Sequence, residues 1–484
     1  MIITNHNLST CSWDARDSVT PDNVIDALRT LSLGKSSGHD GLFAENFKFA
    51  HRSLAVLLAL CLTSMLVHGY LPKDCMVTTL MPILKSKSGD ISDKNNYRPI
   101  ALGTVCSKIL ERVLLVRIED YLYTADNQFG FKKKHGTDTC IAALKEIVNY
   151  YKRLSSPLFI CFLDASKAFD RVNHWVLFKK LINRKVPSLI VRLLLFWYRN
   201  QVMNIRWGSS LSDHFAVLNG VRQGGILSPL LFNVYMDDLT HRLNRSGIGC
   251  RLGGVSLNNF GYADDMSIVA PSPGGLQKLI RICEQYAIEH DIIYNVKKSV
   301  CMLVKSKKVQ FLKNPTIMLC GAEMTYVDSY SYLGCILSCD WMDDLDIARQ
   351  RRASIIRANS LMRKFFKCTD DVKTLLFNTY CSNMYGSHLW TAYKKDSLYK
   401  LKVTYNNSLR KLFGLSWDCR ASVMYVDRGL TGFDALRRKY LSGFMKRLGQ
   451  TDNSLVKFFT GTVSWHTPGS LGQHIHKELY TMYM

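Results

Sequence analysis

Six consecutive residues, Leu158–Leu163 (LFICFL), are apolar and β-prone, and the run ends on a carboxylate, Asp164. Such a run reads as a strand buried in a sheet, since a half-exposed strand would alternate with polar residues. About a hundred positions later the same combination returns in FGYADDMSI, where Asp264 and Asp265 sit among Phe260, Tyr262, Met266, Ile268 and Val269. Residues 255–270 are expected to form a half-buried hairpin with YADD near its tip. Carboxylates placed there are costly to bury unless cations compensate them.

An adjacent Asp pair is no signal by itself, because three others occur at 237–238, 343–344 and 370–371. The first lies in a predicted helix, where neighbouring side chains diverge by about 100°, and is expected at the helix surface. The other two stand beside basic helices as expected N-terminal dipole partners. A hairpin tip differs, because it turns sharply enough for adjacent carboxylates to face one site. Together with strand-end Asp164 they supply the hard oxygen donors of a two-metal phosphoryl-transfer centre, with two Mg²⁺ about 3.5–4 Å apart.

Charge points the same way. The 484 residues hold 63 Lys and Arg against 39 Asp and Glu, a net +24 that suits a polyanion: nucleic acid or an anionic membrane surface. The 15 cysteines include no CxxC pair, with Cys335 and Cys339 nearest to a metal spacing, and read as reduced intracellular thiols. The opening MIITNHNLST lacks a basic start and an apolar core, so no targeting signal is identified. The longest uncharged run, Ser53 to Leu71, carries His68 and ends in Gly69 before Pro72; it is expected as a buried helix rather than a membrane span.

Elsewhere the pattern is mixed α and β, with two to four subdomains expected from the length. Thr20-Pro21 reads as a cap and first turn, followed by Val24, Leu28 and Leu31 on one face. GKSSGHDG (34–41) mimics a phosphate loop, but Arg29 stands where the first glycine is needed. In GIGCRLGG (247–254), Leu252 replaces the third glycine of a dinucleotide fingerprint. Residues 100–123 look helical, with apolar Val105, Ile109, Val113, Val116 and Leu122, and a second amphipathic helix runs through Tyr151. Ser228 and Pro229 open a helix with Leu231, Tyr235, Leu239 and Leu243 on its buried face. Arg349 to Lys367 holds seven Arg and Lys and no acid, a pattern that suits an ordinary solvated helix face and equally a phosphate-tracking surface.

The segments FLDASKAFDRV, GVRQGGILSPLLFNVYMDDL, FGYADDM, YNVKKS and YLG resemble, in order and spacing, the A to E motifs of reverse transcriptases of non-LTR (LINE-type) retrotransposons. Upstream, GKSSGHDGL, MPILKSKSGD, NNYRPIAL and QFGFKKKHGTDT look like that group's additional motifs, and NMYGSHLW resembles a segment that follows the polymerase. The likeness is strong over about residues 20–345 and looser beyond. It implies an α+β right-hand polymerase with fingers, a ferredoxin-like βαββαβ palm and a helical thumb. The expected divisions are an N-terminal fingers extension (1–78), the reverse transcriptase domain (79–345) and a basic thumb and C-terminal region (346–484).

By the same resemblance, Asp164, Asp264 and Asp265 are the metal-binding carboxylates for two Mg²⁺, with Mn²⁺ as an alternative ion. Lys298 matches the motif D proton donor, with Lys297 as its off-by-one rival. Phe169 matches the steric gate against a ribose 2′-OH, and Asp170 beside it is expected to be structural. Gln223 and Gly224 match the loop that touches nucleotide and template, and glycine there allows close backbone approach. Lys85 and Arg98 match cations that grip the triphosphate, and Tyr332, Leu333 and Gly334 match the primer grip. One departure is Phe131-Lys132-Lys133-Lys134, where the family commonly has arginine; lysine keeps the charge and loses the bidentate fork.

The implied partners are an RNA template, a DNA primer or target and dNTPs, with no membrane, in nucleus or cytoplasm. A maturase or retron-type enzyme would share this palm, but YRPI and YGSHLW favour the LINE side. With no nuclease segment recognised, polymerase chemistry without autonomous target cleavage is expected. The alternative is a truncated or repurposed element remnant that binds RNA without polymerising.

Overall fold

The computed structural model describes residues 14, 18–86, 89–306 and 312–480; the opening MIITNHNLST, and Lys87 and Ser88 of MPILKSKSGD, lie outside them. The chain forms two compact units. One comprises Met1–Ala125, Ala165–His241 and Gln285–Tyr294; the other comprises Asp126–Asp164, Arg242–Glu284 and Asn295–Met484.

The second unit is built around the LFICFL strand, and all six of its residues are buried. Leu158, Ile160 and Phe162 pack into the core that includes Ile141, Leu144 and Ile147 of the helix Thr137–Arg153. On the other face, Cys161 meets the sulfur of Met324 at 3.8 Å. Coverage on both faces explains why the run needs no polar alternation. Val300–Val304 and Asp265–Ala270 pair antiparallel with this strand on either side, and Asn259–Tyr262 pairs antiparallel with Asp265–Ala270. A short strand, Thr325–Tyr326, adds parallel to the outer edge of Val300–Val304. Helix Pro273–Glu289 connects the hairpin to Val300–Val304. The four antiparallel strands therefore have the ferredoxin-like order expected of a βαββαβ palm.

Beyond the hairpin Ser329–Tyr332/Cys335–Ser338 the described chain is helical, beginning with Asp344–Phe365. Its helices share a second core of Ile347, Leu361, Phe377, Trp390, Tyr405 and Leu409.

In the first unit, Val77–Leu84 is flanked by antiparallel Tyr97–Gly103 and parallel Val202–Trp207. Residues 100–103 thus belong to a strand, and the helix expected from 100 begins at Val105. Their apolar pattern suits either state; pairing with Thr78–Met81 decides it. Val116, expected on the buried face, is exposed, because the buried stripe of Val105–Ile118 follows Ile109, Val113 and Leu114.

Helix Pro21–Thr30 starts with a capping box between Thr20 and Asn23, as the Thr-Pro signal predicts. Ser53–His68 buries Ala55, Ala59, Leu62 and Leu66, leaves Leu57 and Leu60 exposed, and stops at Gly69 in the left-handed conformation. Among the described residues no helix is long and apolar enough to cross a membrane.

Candidate active site

Asp164 lies one residue past the last pair, Leu163↔Met266, between the central strand and Asp265–Ala270. That register brings the ends carrying Asp164 and Asp265 together across adjacent strands. The Asp164 backbone is pinned on both sides: its N–H donates to Ser299 Oγ (3.0 Å), and its carbonyl accepts from Asn295 N–H (2.8 Å). Opposite, Tyr262 pairs with Asp265, so Ala263 and Asp264 form a two-residue turn. Ala263 has φ 60°, which a residue with a Cβ adopts only when its surroundings enforce it.

Asp265 is solvent-exposed, yet partial desolvation and the like charges of Asp264 and Asp164 push its carboxyl up to about 6. Hard carboxylate oxygens that repel one another suit a divalent cation, which would relieve that repulsion. Among the described residues no three His, Cys, Asp or Glu groups are gathered so as to hold an ion.

Because the folded-state value of Asp265 is raised, its unfavourable contribution is absent below about pH 4, grows towards pH 6 and is complete above it. In chelator, Asp265→Asn should therefore be more resistant to urea than wild type at pH 8, with the difference disappearing at pH 4. A difference that persists at pH 4 would refute the like-charge account.

The segment that pins Asp164 also carries Lys298, which is exposed and whose N–H donates to Asn295 O at 3.1 Å; Lys297 beside it is exposed too. Tyr332 and Cys335 close another hairpin, with Leu333 (φ 47°) and Gly334 (φ 82°) as its two central residues. Two positive φ values mark a tight turn in which glycine is the easier occupant. Tyr332 is buried, with its hydroxyl 3.4 Å from Ser267 Oγ on the second strand of the hairpin that carries Asp264 and Asp265. Tyr385 of the NMYGSHLW segment donates to Leu333 O (2.7 Å), and its hydroxyl also bonds Thr137 Oγ1 (2.7 Å). Farther along, His388 contacts Asp138 (3.1 Å) and Trp390 Nε1 donates to Asp346 (2.8 Å). Burial would raise Asp138, but His388 and Arg447 outweigh it and hold its carboxyl at about 2. That segment therefore braces the turn predicted as a primer grip.

The remaining predicted residues belong to the first unit. Phe169 stacks on Phe232, with ring centroids 4.5 Å apart. Gln223 donates to Asp170 Oδ1 (3.0 Å) and accepts the Ala101 N–H at its carbonyl (2.7 Å), so Asp170 holds the loop's side chain in place. Gly224 has φ 119°, and a Cβ there would meet Ala101 O at 2.9 Å. The same loop is anchored by buried Arg222, which pairs with buried Glu111 (2.6 Å) and lies over the Trp197 ring. Lys85 is exposed and donates to Asn95 O (2.8 Å); Arg98 is exposed on its strand opposite Ile83.

Several residues that matter carried no local signal. Asp237, expected at a helix surface, is buried, where it accepts from Arg184 (2.5 Å) and Ala125 N–H (2.7 Å). Asp343 stands at the start of its helix as expected, but its side chain makes no capping bond and is buried against Lys145. Of the QFGF motif, Gln128 bonds Ala263 of the YADD turn directly. In the basic turn after it, Lys132 faces Asp126 (3.8 Å) and Lys134 pairs with Asp452 (3.1 Å). Among the seven cations of 349–367, Arg349 is held by Asp346, and Arg357 donates to Tyr380 and Asn383 carbonyls.

Residues 83–337, more than half of the chain, match the family described as reverse transcriptase (RNA-dependent DNA polymerase). The RNA-directed DNA polymerase from mobile element jockey of Drosophila funebris is 26% identical over 459 residues, covering 91% of this chain and 49% of that protein. The probable RNA-directed DNA polymerase from transposon X-element of Drosophila melanogaster is 25% identical, covering 90% and 48%. A Pol polyprotein from type-1 retrotransposable element R2 of Nasonia vitripennis is 25% identical, covering 62% and 29%. The chain thus spans about half the length of the first two curated relatives. Among solved structures, apo telomerase from Candida tropicalis is similar at a TM-score of 0.44 and 12% identity, covering 94% of this chain and 76% of that one.

Proposed function

Because the chain belongs to the reverse transcriptase (RNA-dependent DNA polymerase) family, we propose that it extends a DNA primer with dNTPs on an RNA template. The observation that carries this reading is the strand register that sets Asp164 against the Asp264–Asp265 hairpin on a ferredoxin-like sheet. Residues 79–345 would carry the polymerase, residues 1–78 would extend the fingers, and 346–484 would form a basic thumb.

In this reading Asp164, Asp264 and Asp265 hold two Mg²⁺ or Mn²⁺ ions. When bound, such ions lower the pKa of the primer 3′-hydroxyl and stabilise the leaving pyrophosphate. The protein's own part is positioning and charge. Lys85 and Arg98 neutralise the triphosphate, Gln223 and Gly224 contact the incoming nucleotide, and Lys298 returns a proton to pyrophosphate. Tyr332, Leu333 and Gly334 hold the primer. The native setting would be intracellular, in nucleus or cytoplasm.

Primer extension with Mg²⁺, primed RNA and dNTPs tests the proposal. RNA binding without any extension would instead favour a remnant that has lost catalysis.

Phe169, packed flat on Phe232, would exclude a ribose 2′-OH. Phe169→Ala should raise the ratio of rNTP to dNTP incorporation by about 100-fold, an amount typical of relieving a steric exclusion of roughly 3 kcal/mol. Single-nucleotide kcat/KM values would report it, and an unchanged ratio would remove Phe169 from the gate.

A further inference from the structure

Resting on the polymerase reading above, we propose that Gln128 is the positioning residue of the catalytic turn: its carboxamide holds Ala263 left-handed and so sets where Asp264 stands. Gln128 is buried, and one side chain serves three backbone groups. Its Oε1 accepts from Gly130 N–H (3.0 Å) and Ala263 N–H (3.0 Å), while Nε2 donates to Ala263 O (3.2 Å). Both polar groups of the residue at φ 60° are thereby satisfied by a single amide. Only Gln has the length and the paired donor and acceptor to do this; a carboxylate would face the Ala263 carbonyl with no proton to give.

The surrounding backbone makes the clamp rigid. Phe129 N–H donates to Gly261 O (2.7 Å) and Gly261 N–H donates to Asn127 O (2.8 Å), so residues 127–129 line the outer edge of the Asn259–Tyr262 strand. Asn127 Nδ2 adds a bond to Asn259 O (2.9 Å). A Cβ at Gly130 would stand 2.3 Å from Ala263 N, so glycine is required for this approach. The glycine of QFGF is thus explained by proximity to the turn rather than by its own φ, and the glutamine by the turn's conformation.

The test compares unmodified protein with Gln128→Ala, Gln128→Glu and Gln128→Ala/Ala263→Gly in primer extension at varied Mg²⁺. Gln128→Ala should lower kcat by about 100-fold, the scale of a ~1 Å misplacement, leave KM for primed RNA nearly unchanged and raise the Mg²⁺ concentration for half-maximal rate. Adding Ala263→Gly should recover about tenfold of that rate, because glycine takes positive φ without a clamp. Gln128→Glu, which keeps acceptance and loses donation, should fall between Gln128→Ala and wild type. A purely structural glutamine would lower stability alone, with kcat and Mg²⁺ dependence unmoved, and that result overturns the proposal.

If the substituted proteins fail to fold, amide exchange in unmodified protein decides. Protection of Ala263 N–H matching that of the central strand supports the clamp, and rapid exchange overturns it. Unmodified protein that extends no primer refutes the polymerase reading, while an active protein with a full-rate Gln128→Ala refutes this inference alone.

Discussion

Asp264→Asn should abolish primer extension while leaving the fold intact. The expected loss is about 10³-fold or more in kcat, equivalent to roughly 4 kcal/mol of transition-state stabilisation. Asn keeps the size and one oxygen of Asp, so the two-residue turn and its bonds to Gln128 survive. What disappears is a negative charge at the point where Asp164 and Asp265 also converge by register. In the proposed reading, two carboxylates alone would hold divalent cations less tightly, leaving less cationic charge to offset that developing on the reacting phosphate. Circular dichroism and urea titration would establish folding, and gel-resolved extension would give the rate. Extension by the folded variant at the wild-type rate would sink the assignment of Asp264.

The largest effect on stability should come from Lys145→Met. Lys145 and Asp343 are both 6% exposed at their side chains and form an ion pair. Lys145 also donates to Leu389 O (2.9 Å), and Asp343 Oδ2 accepts from the N–H groups of Thr391 (2.7 Å) and Ala392 (3.1 Å). Met preserves the volume and the aliphatic stem but strands a buried carboxylate, which typically costs about 3–5 kcal/mol. The pair binds helix Thr137–Arg153 to the start of helix Asp344–Phe365 and to the end of NMYGSHLW. Urea denaturation of Lys145→Met should show that loss, and Lys145→Met/Asp343→Asn should recover much of it because no charge is left unpaired. A loss below about 1 kcal/mol, the range of exposed pairs, would show that the pair contributes little.

Both expectations concern residues whose partners lie far away in the chain, and that distance separates what the residues announce from what they conceal. LFICFL announced its burial, YADD its hairpin and Thr20-Pro21 its cap, because each depends on neighbours a few positions away. Lys145 and Asp343 are separated by 198 positions and Gln128 and Ala263 by 135, so no window of local periodicity contains either pair. Asp237 misled for the same reason: helical geometry argued against a shared ligand with Asp238, but Arg184 and the Ala125 N–H, 53 and 112 positions away, satisfy its buried carboxylate. Residues 100–103 misled differently, since an apolar run between polar neighbours fits helix and strand alike until a paired strand selects one.

The sequence by itself determined the palm's central strand, the hairpin carrying Asp264 and Asp265, the family to which they belong and the net positive charge. These follow from short-range steric and solvation preferences, or from motifs whose order is itself linear. The tertiary structure decided that the strand ends carrying Asp164 and Asp265 lie side by side, that Gln128 secures a left-handed alanine, and that NMYGSHLW braces the Leu333–Gly334 turn. Those outcomes rest on hydrogen bonds and buried charges, which have value only when desolvated together, and the chain can desolvate distant residues together only by folding.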